Sequence, residues 1–101
     1  MNIFEAKAPK KGEIFKEIYK KNGVLIETIC SSEKLEKKIY KQPWDEWVVL
    51  LKGEAVLEME GEIKELKEGD EILIKADTKH RVLKAKQDTL WLCVHAGIED
   101  E

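Results

Sequence analysis

The 101-residue sequence is poor in cysteine, proline, histidine and arginine, with 2 Cys, 2 Pro, 2 His and a single arginine, Arg81. Cys30 and Cys93 lie far apart and show no CxxC spacing. They read as buried thiols in a reducing compartment, with a disulfide as the lesser alternative. No apolar run is long enough to span a membrane. Met1 to Gly12 lack the apolar core of a signal peptide. The net charge of −3 excludes a strong general attraction to nucleic acid, and the basic pair Lys37-Lys38 has acidic residues nearby. There is no glycine-rich phosphate loop, no nucleophile elbow and no repeat of solenoid period. These absences point to a soluble cytoplasmic protein without a nucleic-acid or membrane partner.

Hydrophobic residues make up 43% of the chain, which excludes a disordered chain, and charged residues make up 39%. The charge is mostly Lys and Glu, as on heat-adapted surfaces. The length suits a single domain, residues 1–101, around one modest core. Residues 1–11 form a polar lead-in containing Pro9. Ile14, Phe15, Ile18 and Tyr19 then recur at helical spacing, and Asn22-Gly23 follows as a helix stop. A short amphipathic helix is therefore expected over about residues 12–21. Its apolar face would cover one side or end of a sheet.

From residue 24 the pattern is β. Val24 to Cys30 is β-branched and bounded by Gly23 and Ser31-Ser32. Lys34 to Tyr40 is charged and reads as extended. Pro43 marks a loop entering a strand from Trp44 to Leu51. Further strands are expected over 54–59, 62–66, 72–74, 81–83 and 89–95, with Glu60-Gly61 and Glu68-Gly69-Asp70 as turns. The tail, Ile98 to Glu101, is acidic and expected to fray. Short strands joined by glycine turns indicate an all-β sandwich or small antiparallel barrel.

Two spacings combine within this pattern. Glu46 precedes Gly53 by seven positions, and Gly69 precedes His80 by eleven. The chain here resembles the small cupins, whose two motifs run G-x5-H-x-H-x(3,4)-E-x6-G and G-x5-P-x-G-x2-H-x3-N. Glu46 and Gly53 match the end of the first, and Gly69 and His80 match the second. The resemblance covers about residues 24–95 and implies a jelly-roll-like double-stranded β-helix with the lead-in and helix over residues 1–22. It also implies pairing into a homodimer through barrel sheets. Departures are equally specific. Tyr40 and Gln42 stand where the family has two histidines, and Lys75, Asp77 and Lys84 replace its proline, glycine and asparagine. Of the four positions that hold metal in metal-bearing cupins, only Glu46 and His80 remain.

His80 reads as a pocket ligand, or as a turn histidine bonded to backbone. Glu46 reads as a pocket carboxylate, which burial would oblige to find a partner, or as a rim glutamate paired with a lysine. Period two places Trp91, Cys93 and His95 on one face of the last strand. If that face points inward, Glu46, His80 and His95 form a two-histidine, one-carboxylate set suited to zinc, iron, manganese or nickel. If it points outward, His95 is a surface residue. Gln42 and Tyr40 are candidate ligand-binding groups or ordinary strand-edge residues. Asp45 should face away from Glu46. Trp44, Trp47 and Trp91 divide among core packing, a pocket mouth and an interface, with Trp44 the candidate at the pocket. Two functions follow. One is a metal-dependent enzyme or metal-assisted binder of a small polar metabolite. The other is a metal-free binding or sensing module with a degenerate site.

Overall fold

The computed structural model describes residues 1–99. The expectation for Asp100 and Glu101 falls outside the described residues. Eight antiparallel strands follow one another: β1 (Glu13–Lys21), β2 (Val24–Ser31), β3 (Asp45–Lys52), β4 (Glu54–Met59), β5 (Glu62–Lys67), β6 (Glu71–Ile74), β7 (His80–Ala85) and β8 (Thr89–Ala96). They form a five-stranded sheet in the order β1-β2-β8-β3-β6 and a three-stranded sheet in the order β5-β4-β7. The sheets face each other across a core containing Val48, Leu50, Ala55, Ile74, Ala85, Trp91 and Cys93. This is the expected all-β, jelly-roll-like architecture.

The helix expected over residues 12–21 is absent; that segment is β1, and the helical content nearby is one 3-10 turn at Ile3–Glu5. The reason is a β-bulge. β1 pairs with β2 in steady register from Glu13↔Ser31 to Glu17↔Glu27, then resumes at Tyr19↔Ile26. Ile18 is the extra residue. A bulge shifts the period-two alternation by one, so Ile14, Phe15, Ile18 and Tyr19 acquire a spacing that mimics a helix. Asn22-Gly23 is likewise a hairpin turn. Both residues have positive φ, 52° and 79°, as a two-residue turn of this twist requires. The sheet thus begins at Glu13 rather than at residue 24.

Other turns read as expected. Glu60 and Gly61 join β4 to β5 with φ of 50° and 81°. Gly53 is constrained more tightly. Its φ is +96°, and a Cβ there would lie 2.5 Å from Thr89 Oγ1 and 2.9 Å from Thr89 Cα. Any side chain would push β8 away from the β3–β4 corner. Residues 33–39 join no sheet, but Tyr40 bridges His80 at the start of β7. The lead-in is tied to the β7–β8 turn, where Ala8 N–H donates to Asp88 Oδ1 and Gln87 Nε2–H donates to Pro9 O. Cys30 and Cys93 are free and buried. No helix among the described residues is long and apolar enough to cross a membrane.

Candidate functional site

Register decides which side chains meet. Across the five-stranded sheet, Leu25, His95, Glu46 and Ile74 stand in one row, and Glu27, Cys93 and Val48 in the next. Alternation turns both rows toward the opposite sheet, where all of them but Leu25 line a cavity of about 200 Å³. On the other wall, β7 starts at His80, and β4 and β5 contribute Leu57 and Leu66. The loop before β3 closes one end. Tyr40 exchanges two backbone hydrogen bonds with His80, and Asp77 N–H donates to Gln42 O at 2.7 Å. Asp77 occupies this turn with φ +64°.

Glu46 and His95 are both 6% exposed, and His80 is 9% exposed. The three converge. Glu46 lies between the imidazoles, with Oε1 3.9 Å from His80 Nε2 and Oε2 3.7 Å from His95 Nε2. Gln42 Nε2–H donates to Glu46 Oε1 at 2.7 Å. The Tyr40 ring stacks on His80 at 6.0 Å between centroids, and Lys38 Nζ lies 5.3 Å from the Tyr40 ring centroid. Burial, followed by the charges of Glu13 and Glu36, raises the Tyr40 phenol above its usual value. Asp45 is exposed and turned away, accepting from Ala76 N–H.

One participant was not anticipated. Glu27 on β2 accepts from His95 Nε2 at 2.7 Å. Its signal was a carboxylate within the apolar run Val24 to Cys30, on the same period-two face as Leu25 and Ile29. Cys93 also belongs to the site. Its burial, the charges of Glu46 and Glu27 and a hydrogen bond to Glu46 hold the thiol well above its usual pKa. Of the tryptophans, Trp91 is core and donates to Ser31 Oγ, while Trp47 donates to Glu71 on the outer face.

Trp44 fixes the protonation of His95. Its indole N–H, which can only donate, reaches His95 Nδ1 at 2.9 Å. Nδ1 must therefore carry a lone pair, and the neutral ring bears its proton on Nε2, directed at Glu27. His80 has the opposite arrangement. Its Nδ1 lies 2.9 Å from the carbonyl of Thr78, which can only accept, so Nδ1 is protonated and, in the neutral ring, Nε2 is bare. Burial lowers the pKa of His95, but the hydrogen bond to Glu27 and the charges of Glu46 and Glu27 outweigh it, and the net shift is upward. The Trp44 donor opposes that shift, because protonating Nδ1 would set two N–H groups against each other.

This donor set does not fit a metal held jointly by Glu46, His80 and His95. His95 offers no lone pair to the cavity while Trp44 holds Nδ1, and metal-bound histidine must present a bare nitrogen. Among the described residues, no group of three His, Cys, Asp or Glu side chains has the spacing of a metal site.

The sequence profile of the cupin domain matches residues 33–95. The chain is a cupin. Solved structures agree over nearly its whole length. A protein of Ralstonia eutropha JMP134, proposed to be a mannose-6-phosphate isomerase, is 32% identical with a TM-score of 0.81, covering 95% of each chain. KdgF from Halomonas sp. is 18% identical with a TM-score of 0.80, covering 88% of this cupin and 82% of KdgF. A conserved Streptococcus pyogenes protein of unknown function is also 18% identical, with a TM-score of 0.84, covering 99% of this cupin and 88% of its own chain. No curated protein matches the sequence. Small cupins of this kind commonly take small ligands, and metal binding is compatible with the family.

Proposed function

We propose that this cupin binds a small polar molecule directly in its barrel, without a resident metal, using Glu27, Glu46, His80, Gln42 and Tyr40 as hydrogen-bonding groups. The single supporting observation is the Trp44–His95 hydrogen bond. It commits the Nε2 proton of His95 to Glu27, so the neutral ring is a hydrogen-bond donor and not a metal ligand at this end of the pocket. The burial of Glu46, His80 and His95 strengthens the electrostatics between them. The Nε2 lone pair of neutral His80 is placed to accept a proton from a bound ligand. An isomerase activity on mannose 6-phosphate, as named for the Ralstonia protein, is not favoured. Arg81, the one Lys or Arg lining the cavity among the described residues, is paired with Glu58 at 2.7 Å.

Metal analysis of untagged protein, purified without a nickel column, tests the reading. Zinc, iron, manganese and nickel should each stay below about a tenth of an equivalent, and titration should not fill a stoichiometric site. Trp44→Phe should then increase metal uptake by freeing His95. Tight wild-type binding of one equivalent would refute the proposal. A second reading, a metal held by Glu46 and His80, draws support from the bare Nε2 of His80, and the same titration decides it.

We also propose a homodimer formed through the outer face of the five-stranded sheet. Ile14, Tyr19 and Leu73 are about half exposed there, with Ile26, Val94 and Trp47 between them. Lys16 and Lys21 lie on the β1 side, Asp45 and Glu71 on the β6 side. A two-fold axis parallel to the strands would set each basic edge on the partner's acidic edge. Sedimentation of wild type against Leu73→Lys tests this; a monomeric wild type across a wide concentration range would refute it. Two free thiols support a reducing, cytoplasmic location.

A further inference from the structure

The polar end of the cavity has more acceptors than donors. His80 Nε2 makes no hydrogen bond among the described residues, and Glu46 Oε1, another acceptor, lies 3.9 Å from it. A lone pair and a carboxylate thus face each other across a gap too wide for a hydrogen bond and with no donor between them. The donors nearby are already used: the Nε2 proton of His95 goes to Glu27, and Gln42 donates to Glu46.

Charge points the same way. Among the described residues, Glu13, Glu27, Glu46 and Asp70 line the cavity, no lysine does, and Arg81 is paired with Glu58. The rest of the lining is mostly apolar, with Phe15, Leu57, Leu66, Ile72 and Val82 prominent.

We propose that the ligand is a small organic amine, bound as its cation, with the ammonium bridging His80 Nε2 and Glu46 and an apolar body against Phe15, Leu57 and Leu66. This rests on the metal-independent reading of the pocket. An ammonium has three donors and no acceptor, so it answers an acceptor-only gap. Two bonds of about 2.8 Å each can meet across the 3.9 Å separation. Both bonds would be charge-assisted, and the aromatic faces of Phe15 and Trp91 tolerate a nearby cation. A neutral alcohol would fill the gap without the charge. A carboxylate or phosphate would meet repulsion. The cavity, about 200 Å³ or the share of roughly seven waters, limits the body to one small ring or a short chain.

Calorimetric titration of chelator-treated protein with benzylamine, benzyl alcohol and benzoate tests the assignment. Benzylamine should bind one per chain, at least about tenfold more tightly than benzyl alcohol, and benzoate should give no binding. Glu46→Gln should weaken benzylamine by about tenfold or more and change benzyl alcohol by less than about threefold. His80→Phe, with a melting curve to confirm folding, removes the other acceptor and should weaken benzylamine in the same way if Glu46→Gln does not fold. Equal binding of the alcohol, any binding of benzoate, or no binding of all three overturns the amine assignment. Binding of the alcohol or benzoate would still leave a metal-independent pocket standing. Stoichiometric zinc uptake that His80→Ala abolishes would overturn both.

Discussion

The two walls of the cavity differ in kind. The five-stranded sheet carries Glu27, Glu46, Cys93 and His95 on its inner face, all within two adjoining rows. The three-stranded sheet contributes Leu57, Leu66 and Val82, and its polar contribution is confined to His80 and Arg81 at the start of β7. One wall therefore sets protonation, and the other sets shape and dryness. The difference shows how a barrel can concentrate charge without losing its core. Every buried carboxylate on the polar wall has a donor partner within the same sheet or the adjoining loop, which avoids the penalty of an unpaired buried charge.

Truncating the apolar wall should change stability and leave the protonation of the polar wall untouched. Leu57→Ala removes a side chain that is 4% exposed, and urea unfolding should show a loss of about 2–5 kcal/mol. The histidine titration curves, followed by NMR, should not move; if they do, the walls are not separable. At the corner joining them, Gly53→Ala should cost about 1–3 kcal/mol, because the new Cβ meets Thr89 at a positive φ. On the polar wall, Trp44→Phe should cost about 1 kcal/mol of stability while redistributing the His95 tautomers, visible in ring nitrogen shifts. An unchanged nitrogen spectrum would show that Trp44 does not fix the tautomer.

The smallest effect is a pH dependence. His95 is raised above its ordinary value of 6.5, so its protonated form stabilises the fold. That contribution is fully present below pH 6.5 and is lost as pH rises through the higher folded value. Glu27→Gln removes the hydrogen bond and charge that help raise it. The stability difference between wild type and Glu27→Gln should therefore be largest near about pH 5, with carboxylates still ionised, and shrink toward alkaline pH. A difference that grows with pH would contradict this assignment.

Much of the polar wall was legible because turn spacing carries it. Glu46 to Gly53 and Gly69 to His80 each span a strand and a corner, and such spacings survive in sequence. Period two on β8 put Trp91, Cys93 and His95 on one face, and pairing with β3 and β2 turns that face inward. The N-terminal element misled because a single unpaired residue, Ile18, converts an alternating pattern into a helical one. Asn22-Gly23 held the correction, since that pair suits a hairpin better than a helix end. Glu27 was missed because nothing local marks which face of β2 turns inward; only pairing with β8 settles that. The tautomers of the two histidines depend on Trp44 and on the Thr78 carbonyl, distant or backbone partners that leave no pattern in the chain.

The two cysteines occupy neighbouring strands but opposite faces: Cys93 looks into the cavity, and Cys30 lies on the other side of the five-stranded sheet. Both thiols are held protonated by burial, so neither should react quickly with alkylating agents while the sandwich stays shut. Their labelling rates would then clock two separate breathing motions. Cys93 would time the parting of the sheets, and Cys30 the peeling of whatever lies over the sheet's back.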